Sequence, residues 1–125
     1  MAIARLESDR LVLEPLRVEH AEELAPVLDD PALHEFIGGR PASAARLRAR
    51  FARQVAGRSP DGRERWLNWV VRLRASGAAV GTVQATVRRD AGQRYADLAW
   101  VIARAYQGQG LAKEAAGVMA RWAAH

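Results

Sequence analysis

No cysteine occurs in the 125 residues, which excludes a disulfide framework, a thiolate metal site and a cysteine nucleophile. Histidine is nearly as scarce: His20, His34 and His125 stand singly, without the close spacing of a zinc site, and no metal centre is expected. Long apolar runs are missing as well. Nothing approaches the roughly 18 residues of a membrane-crossing helix, and the stretch Met1 to Arg10 holds no apolar core of signal-peptide length. Residence in the cytoplasm, away from any membrane, is the expectation that follows. Aromatic residues make up only 6% of the chain, too few for the stacking platform of a nucleic-acid binder.

What remains is an ordinary globular composition, 50% hydrophobic and 26% charged, at a length that suits one domain around one core. All but one of the 19 basic residues are arginine, against 14 acids, for a formal charge of +5. The arginines are spread over almost every segment, so no compact stripe for specific nucleic-acid binding is expected. The densest group, Arg46, Arg48, Arg50 and Arg53, lies on a helical stretch whose other face is Leu47, Phe51 and Val55. Two readings fit this group: a solvated helix face, or an electrostatic funnel for an acidic ligand.

Periodicity sets out the elements. Alternation over Arg10–Leu16 predicts a short strand that Pro15 ends or places at an edge. Ala21, Leu24, Val27 and Leu28 predict a helix from Val18 to Asp29, with Pro26 as an expected kink. A second helix is expected from Ser43, or from Pro41 near it, to about Gly57, with Leu47, Phe51 and Val55 on one stripe. Strands follow over 65–75 and 80–88, closed into a hairpin at Ser76-Gly77, and a third over 95–102 beyond a turn at Asp90–Gln93. The last helix is expected from Gly110 to His125, with Leu111, Ala115, Val118 and Trp122 on its buried stripe.

The most informative stretch is Val101–Ala115, where an apolar strand runs through a glycine turn straight into a helix. Gly108 and Gly110 free the backbone to turn sharply, so that N–H groups of the first helical turn can face an anion, helped by the helix dipole. A dinucleotide fingerprint would need a glycine at Lys113, and a Walker loop would need Gly-Lys-Ser/Thr; neither is present. The spacing that does fit is Gln107-x-x-Gly110-x-Ala112. It resembles the acyl-CoA motif of the GNAT acetyltransferase superfamily, Gln/Arg-x-x-Gly-x-Gly/Ala. The opening Asp9–Arg17, the strand start Ala79-Val-Gly-Thr-Val83 and the loop Ala105–Ala115 are similar to the branch that holds the ribosomal-protein N-terminal acetyltransferases.

The resemblance implies an α+β fold, a mixed but mostly antiparallel sheet with flanking helices. It also implies a single, incomplete domain over residues 1–125, since the family's fold continues with another strand. An open strand edge, a partly uncovered stripe on the last helix and pairing with further chain or a second copy are expected on that basis. The implied activity is acetyl transfer from acetyl-CoA to a primary amine, either a peptide N-terminus or a small amine, without a metal. The alternative is an acyl-CoA-binding module without turnover. Gln107, Gly108, Gln109, Gly110, Leu111 and Ala112 would cradle the pyrophosphate, whose charge a funnel of arginines would suit. Backbone groups of Trp100, Val101 and Ile102 would pair with the pantetheine arm, and an N–H of Val101 or Ile102 would face the oxyanion. Asp97 would be the general base, through water, with Glu14 and His34 as weaker candidates. The family's usual proline before the loop is replaced by Arg104.

Overall fold

The computed structural model describes residues 3–28 and 43–123. In chain order the elements are β1 (Leu6–Glu7), β2 (Leu11–Pro15), α1 (His20–Leu28), α2 (Ala44–Gln54), β3 (Glu64–Leu73), β4 (Ala79–Asp90), β5 (Gln93–Ile102), a 3-10 turn (Arg104–Tyr106) and α3 (Leu111–Ala123). The strands form one sheet in sequence order, each antiparallel to its neighbour. No parallel pair occurs among the described strands, so the mixed character expected of the sheet is not seen in them.

The pleat sends alternate residues to opposite faces, and helices cover both. On one face Leu11, Leu13, Trp69, Val71 and Val83 pack against Leu111, Ala115 and Met119 of α3. On the other, Leu16 and Val70 pack against Leu24 and Leu28 of α1 and Leu47 and Phe51 of α2. Because β3 is covered on both sides, Leu67–Val71 is buried without a break, where a half-solvated strand would alternate. Most of the apolar stripe of α3 is covered, since it lies across the sheet: Leu111, Ala115, Val118 and Met119 are buried, while Trp122, only partly buried, meets Trp69 edge to face at 5.4 Å.

Local chemistry explains the element ends. Ser43 caps α2, its hydroxyl accepting the Arg46 N–H at 3.2 Å. The helix α1 starts at His20 rather than Val18, because the Arg17 N–H turns to Nδ1 of the His20 ring, 2.9 Å away. That helix runs on through Pro26, which forgoes only the bond to the Glu22 carbonyl while Leu24 and Leu28 on either side are fully buried. The β4–β5 turn has positive φ at both Ala91 (53°) and Gly92 (81°), the backbone of a type I′ hairpin.

Candidate functional site

β4 and β5 approach each other unusually closely at their far end. A Cβ on Gly81 would overlap the carbonyl oxygen of Val101, so only glycine allows the Gly81–Ile102 pairing. One step further, the Ala103 N–H donates to the Val80 carbonyl at 2.8 Å. Antiparallel ladders alternate bonded and non-bonded pairs, so the backbone groups of Val101 face β4. Those of Trp100 and Ile102 face outward, onto an edge that no other described strand covers. Of the strand segment expected to meet a ligand, Trp100 and Ile102 thus present main-chain groups at the edge, and Val101 does not.

The chain then turns under that edge. Gln107 folds its side chain back, and its amide nitrogen donates to the Ile102 carbonyl at 2.8 Å, which locks the loop to the strand end. Gly108 (φ 80°) and Gly110 (φ 79°) make the left-handed turns into α3. From Gly108 through Lys113 no backbone N–H meets an acceptor among the described residues; the first helical bond is from Glu114 N–H to the Gly110 carbonyl, at 3.0 Å. A row of free donors at the positive end of a helix has the geometry that can seat an anion.

These donors line a groove of about 580 Å³ between the β5 edge and α3. Trp100, Val101 and Ile102 form its strand wall, and Gln107, Gly108, Gly110, Leu111 and Ala112 its loop and helix wall. Gln109 is the exception: it does not line the groove, and its carbonyl accepts from Arg10 Nη1 at 2.9 Å. Tyr106, Lys113 and Ala116 line the groove as well. Helical spacing from Ala112 could have revealed Ala116, and Lys113 carries the chain's single lysine charge to the anion seat.

A second network holds the seat in place. Glu114 accepts from the Ser8 hydroxyl at 2.5 Å and from the Arg10 N–H and Nε at 2.9 and 2.7 Å. Burial pushes the Glu114 carboxyl up, but the Ser8 and Arg10 donors outweigh it and hold the group below its ordinary value. The β1–β2 turn is thereby tied to the first turn of α3.

Residues 10–125 match the acetyltransferase (GNAT) domain family. The chain belongs to that family. Solved structures with the same fold include a GNAT-family acetyltransferase from Bacillus anthracis, at 17% identity and a TM-score of 0.72, covering 95% of this chain and 65% of that one. An acetyltransferase from Thermus thermophilus matches at 22% identity and a TM-score of 0.67, covering 97% of this chain and 71% of that one. A Vibrio cholerae protein, described as a ribosomal-protein-serine acetyltransferase, matches at 21% identity and a TM-score of 0.68 over 93% of this chain and 64% of that one. No protein of curated function matches the sequence significantly. The chain thus spans about two thirds of the length of these relatives.

On this GNAT fold the other candidate residues sit apart from the groove. Asp97 lies on β5, well exposed, with Oδ2 2.9 Å from Arg88 Nη2, and it does not line the groove. Glu14 is engaged in a structural network. It accepts from His20 Nε2 at 2.7 Å and from Arg72 Nη2 at 3.1 Å, while Arg72 also binds Glu23 at 2.6 and 2.7 Å. His34 lies outside the described residues. No group of potential metal ligands occurs among the described residues, and no described helix is long and apolar enough to cross a membrane.

Proposed function

We propose that this GNAT domain transfers the acetyl group of acetyl-CoA to a primary amine. The observation that carries the reading is the groove at the β5 edge, where outward main-chain groups of Trp100 and Ile102 continue into the free N–H row of Gly108–Lys113. The two parts fit the two parts of the donor. Strand-edge groups can pair with the amides of a pantetheine arm as an added strand would, and the N–H row with Lys113 can hold a pyrophosphate. Bound there, acetyl-CoA supplies an activated thioester. The chain's own part is to orient it along β5, to aim an N–H of Ile102 at the thioester carbonyl, and to exclude water with Tyr106 and Trp100.

The amine must arrive neutral. Asp97 is our proposed proton acceptor: it shares a face of β5 with Ala99 and Val101, about 7 Å along the strand from Ala99, so it acts through water. The likeness to the Vibrio cholerae protein makes a peptide N-terminus the first acceptor class to test. The experiment is release of free CoA from acetyl-CoA across a panel of peptides and small amines. Turnover is expected, and Asp97→Asn should lower kcat about 100-fold while acetyl-CoA affinity stays unchanged. Undiminished turnover in the variant would remove Asp97 from the reaction. Acetyl-CoA binding without turnover on any amine would make the domain a binding module.

A further inference from the structure

The sheet face opposite α3 carries a second recess, of about 270 Å³, roofed by α2 and floored by β3 and β4. Apart from Trp66 and Ala85 its lining residues are polar, and the charged ones, Arg50 and Arg53, are of one sign. Arg50 and Gln54, one helical turn apart, look down from α2 beside Arg53, and Asn68, Gln84 and Thr86 look up from the strands. Gln54 Nε2 donates to Gln84 Oε1 at 3.2 Å, which fixes the roof to the floor.

Two features of this recess have no partner among the described residues. Asn68 is 6% exposed, yet its side-chain amide makes no hydrogen bond among the described residues, although buried amides ordinarily do. Arg50 and Arg53 form no ion pair among the described residues, while neighbouring Arg48 is paired with Glu22. Burial, with the charge of Arg53 adding to it, lowers the Arg50 guanidinium from its ordinary value, and among the described residues no carboxylate pairs with either arginine of the recess. A carboxylate would supply what both lack, accepting charge-assisted bonds from the guanidinium groups and one from the Asn68 amide.

The recess is joined to the proposed transfer site. Arg50, Asn68 and Gln84 also line a smaller cavity that reaches Ala99, Trp100 and Val101 of β5, and Trp100 and Val101 border the large groove too. In register, Asn68 pairs with Gln84 and Gln84 with Ala99, so Asn68 and the β5 edge are two strand spacings apart, about 10 Å. From this we propose that the acceptor carries a carboxylate about 10 Å from its reacting amine, read by Arg50, Arg53 and Asn68. The proposal rests on the acetyl-transfer reading above and names its substrate class. A peptide N-terminus with an acidic residue at its second or third position has that span.

The test compares three peptide amides, Ala-Glu-Glu-Ala, Ala-Gln-Gln-Ala and Ala-Arg-Arg-Ala, as acceptors for the full chain. The acidic peptide should show a kcat/KM about tenfold above the neutral one, through KM, with the basic peptide lowest. Arg53→Gln and Arg50→Gln should erase the preference while acetyl-CoA affinity holds, and Arg53→Glu should invert it. Arg53 is exposed, so its variants keep the fold even if Arg50→Gln does not. Equal kcat/KM for all three peptides, or an equal loss on all three in the Arg53 variants, would overturn the proposal. Peptide binding is measured in parallel from the Trp66 indole and Asn68 amide NMR signals. If no peptide is acetylated, acidic-peptide binding that Arg53→Gln abolishes would uphold the recess while the transfer reading failed. Absence of such binding would overturn the recess as well.

Discussion

Gly81 and Gly110 show how differently a glycine can be required. At Gly81 the reason is contact, because any side chain would displace the Val101 carbonyl; at Gly110 it is the backbone, since a Cβ there would stand 3.6 Å from Arg10 Nη2 but φ is 79°. Only the second was legible in the sequence, as part of a spaced motif, because a close approach between strands depends on a pairing that no local pattern reports. Ala91 is the converse case, an alanine held at φ 53° where the hairpin turn favours asparagine or glycine. Ala91→Asn should raise stability by about 0.5–1 kcal/mol, which for a domain of this size is a Tm increase of about 2–5 °C in a calorimetric melt. A lower Tm would show that the turn does not have this backbone.

At the scale of elements, α3 depends on the other end of the chain. Its first turn is held by Arg10 and Ser8 through Glu114 and the Gln109 carbonyl. The helix itself, its stripe and its glycine entry could be read from periodicity, and so could α2, though its start was open between Pro41 and Ser43. The tie to β1 could not: two residues are too few to show alternation, and the contact spans the length of the chain. The phase of the β5 ladder was equally hidden. Composition shows an apolar strand, but which main-chain groups turn outward follows from its register with β4. Arg10→Ala should loosen the anion seat without removing buried apolar surface. Acetyl-CoA affinity is expected to fall about tenfold with Tm lowered by only a few degrees; unchanged affinity would make the tie purely structural.

Across the whole molecule, several carboxylates are held below their ordinary value by cationic partners. For Glu14 burial works upward, and the bonds from His20 and Arg72 more than reverse it; for Glu23 the Arg72 bond leads. With Glu114 these groups have folded-state values depressed below 4.5. Their stabilisation is therefore complete above the unfolded value and disappears as pH falls through the folded ones. Melting temperature should change little down to about pH 5 and fall steeply below about pH 4.5. Glu14→Gln should flatten that fall, and a steep loss of stability already near pH 6 would point to other groups. The domain class and the glycine turn into α3 were legible because each is written in a continuous stretch. The Arg50–Asn68 recess was not, because it joins α2 to β3 and its arginines look, in sequence, like any solvated helix face.

In this proposal the groove between β5 and α3 seats acetyl-CoA. Calorimetric titration of the chain with acetyl-CoA tests it most directly, with Ala112→Glu as the partner measurement. Ala112 lines the groove in the first turn of α3, where glutamate is a good helix former and needs no left-handed backbone, so it adds a carboxylate to the anion seat at little cost in stability. Saturable binding by the native chain, weakened more than about tenfold in a variant that melts as the native chain does, is the expected result. No binding by the native chain, or equal affinity in the folded variant, would show that the groove is not the acetyl-CoA seat.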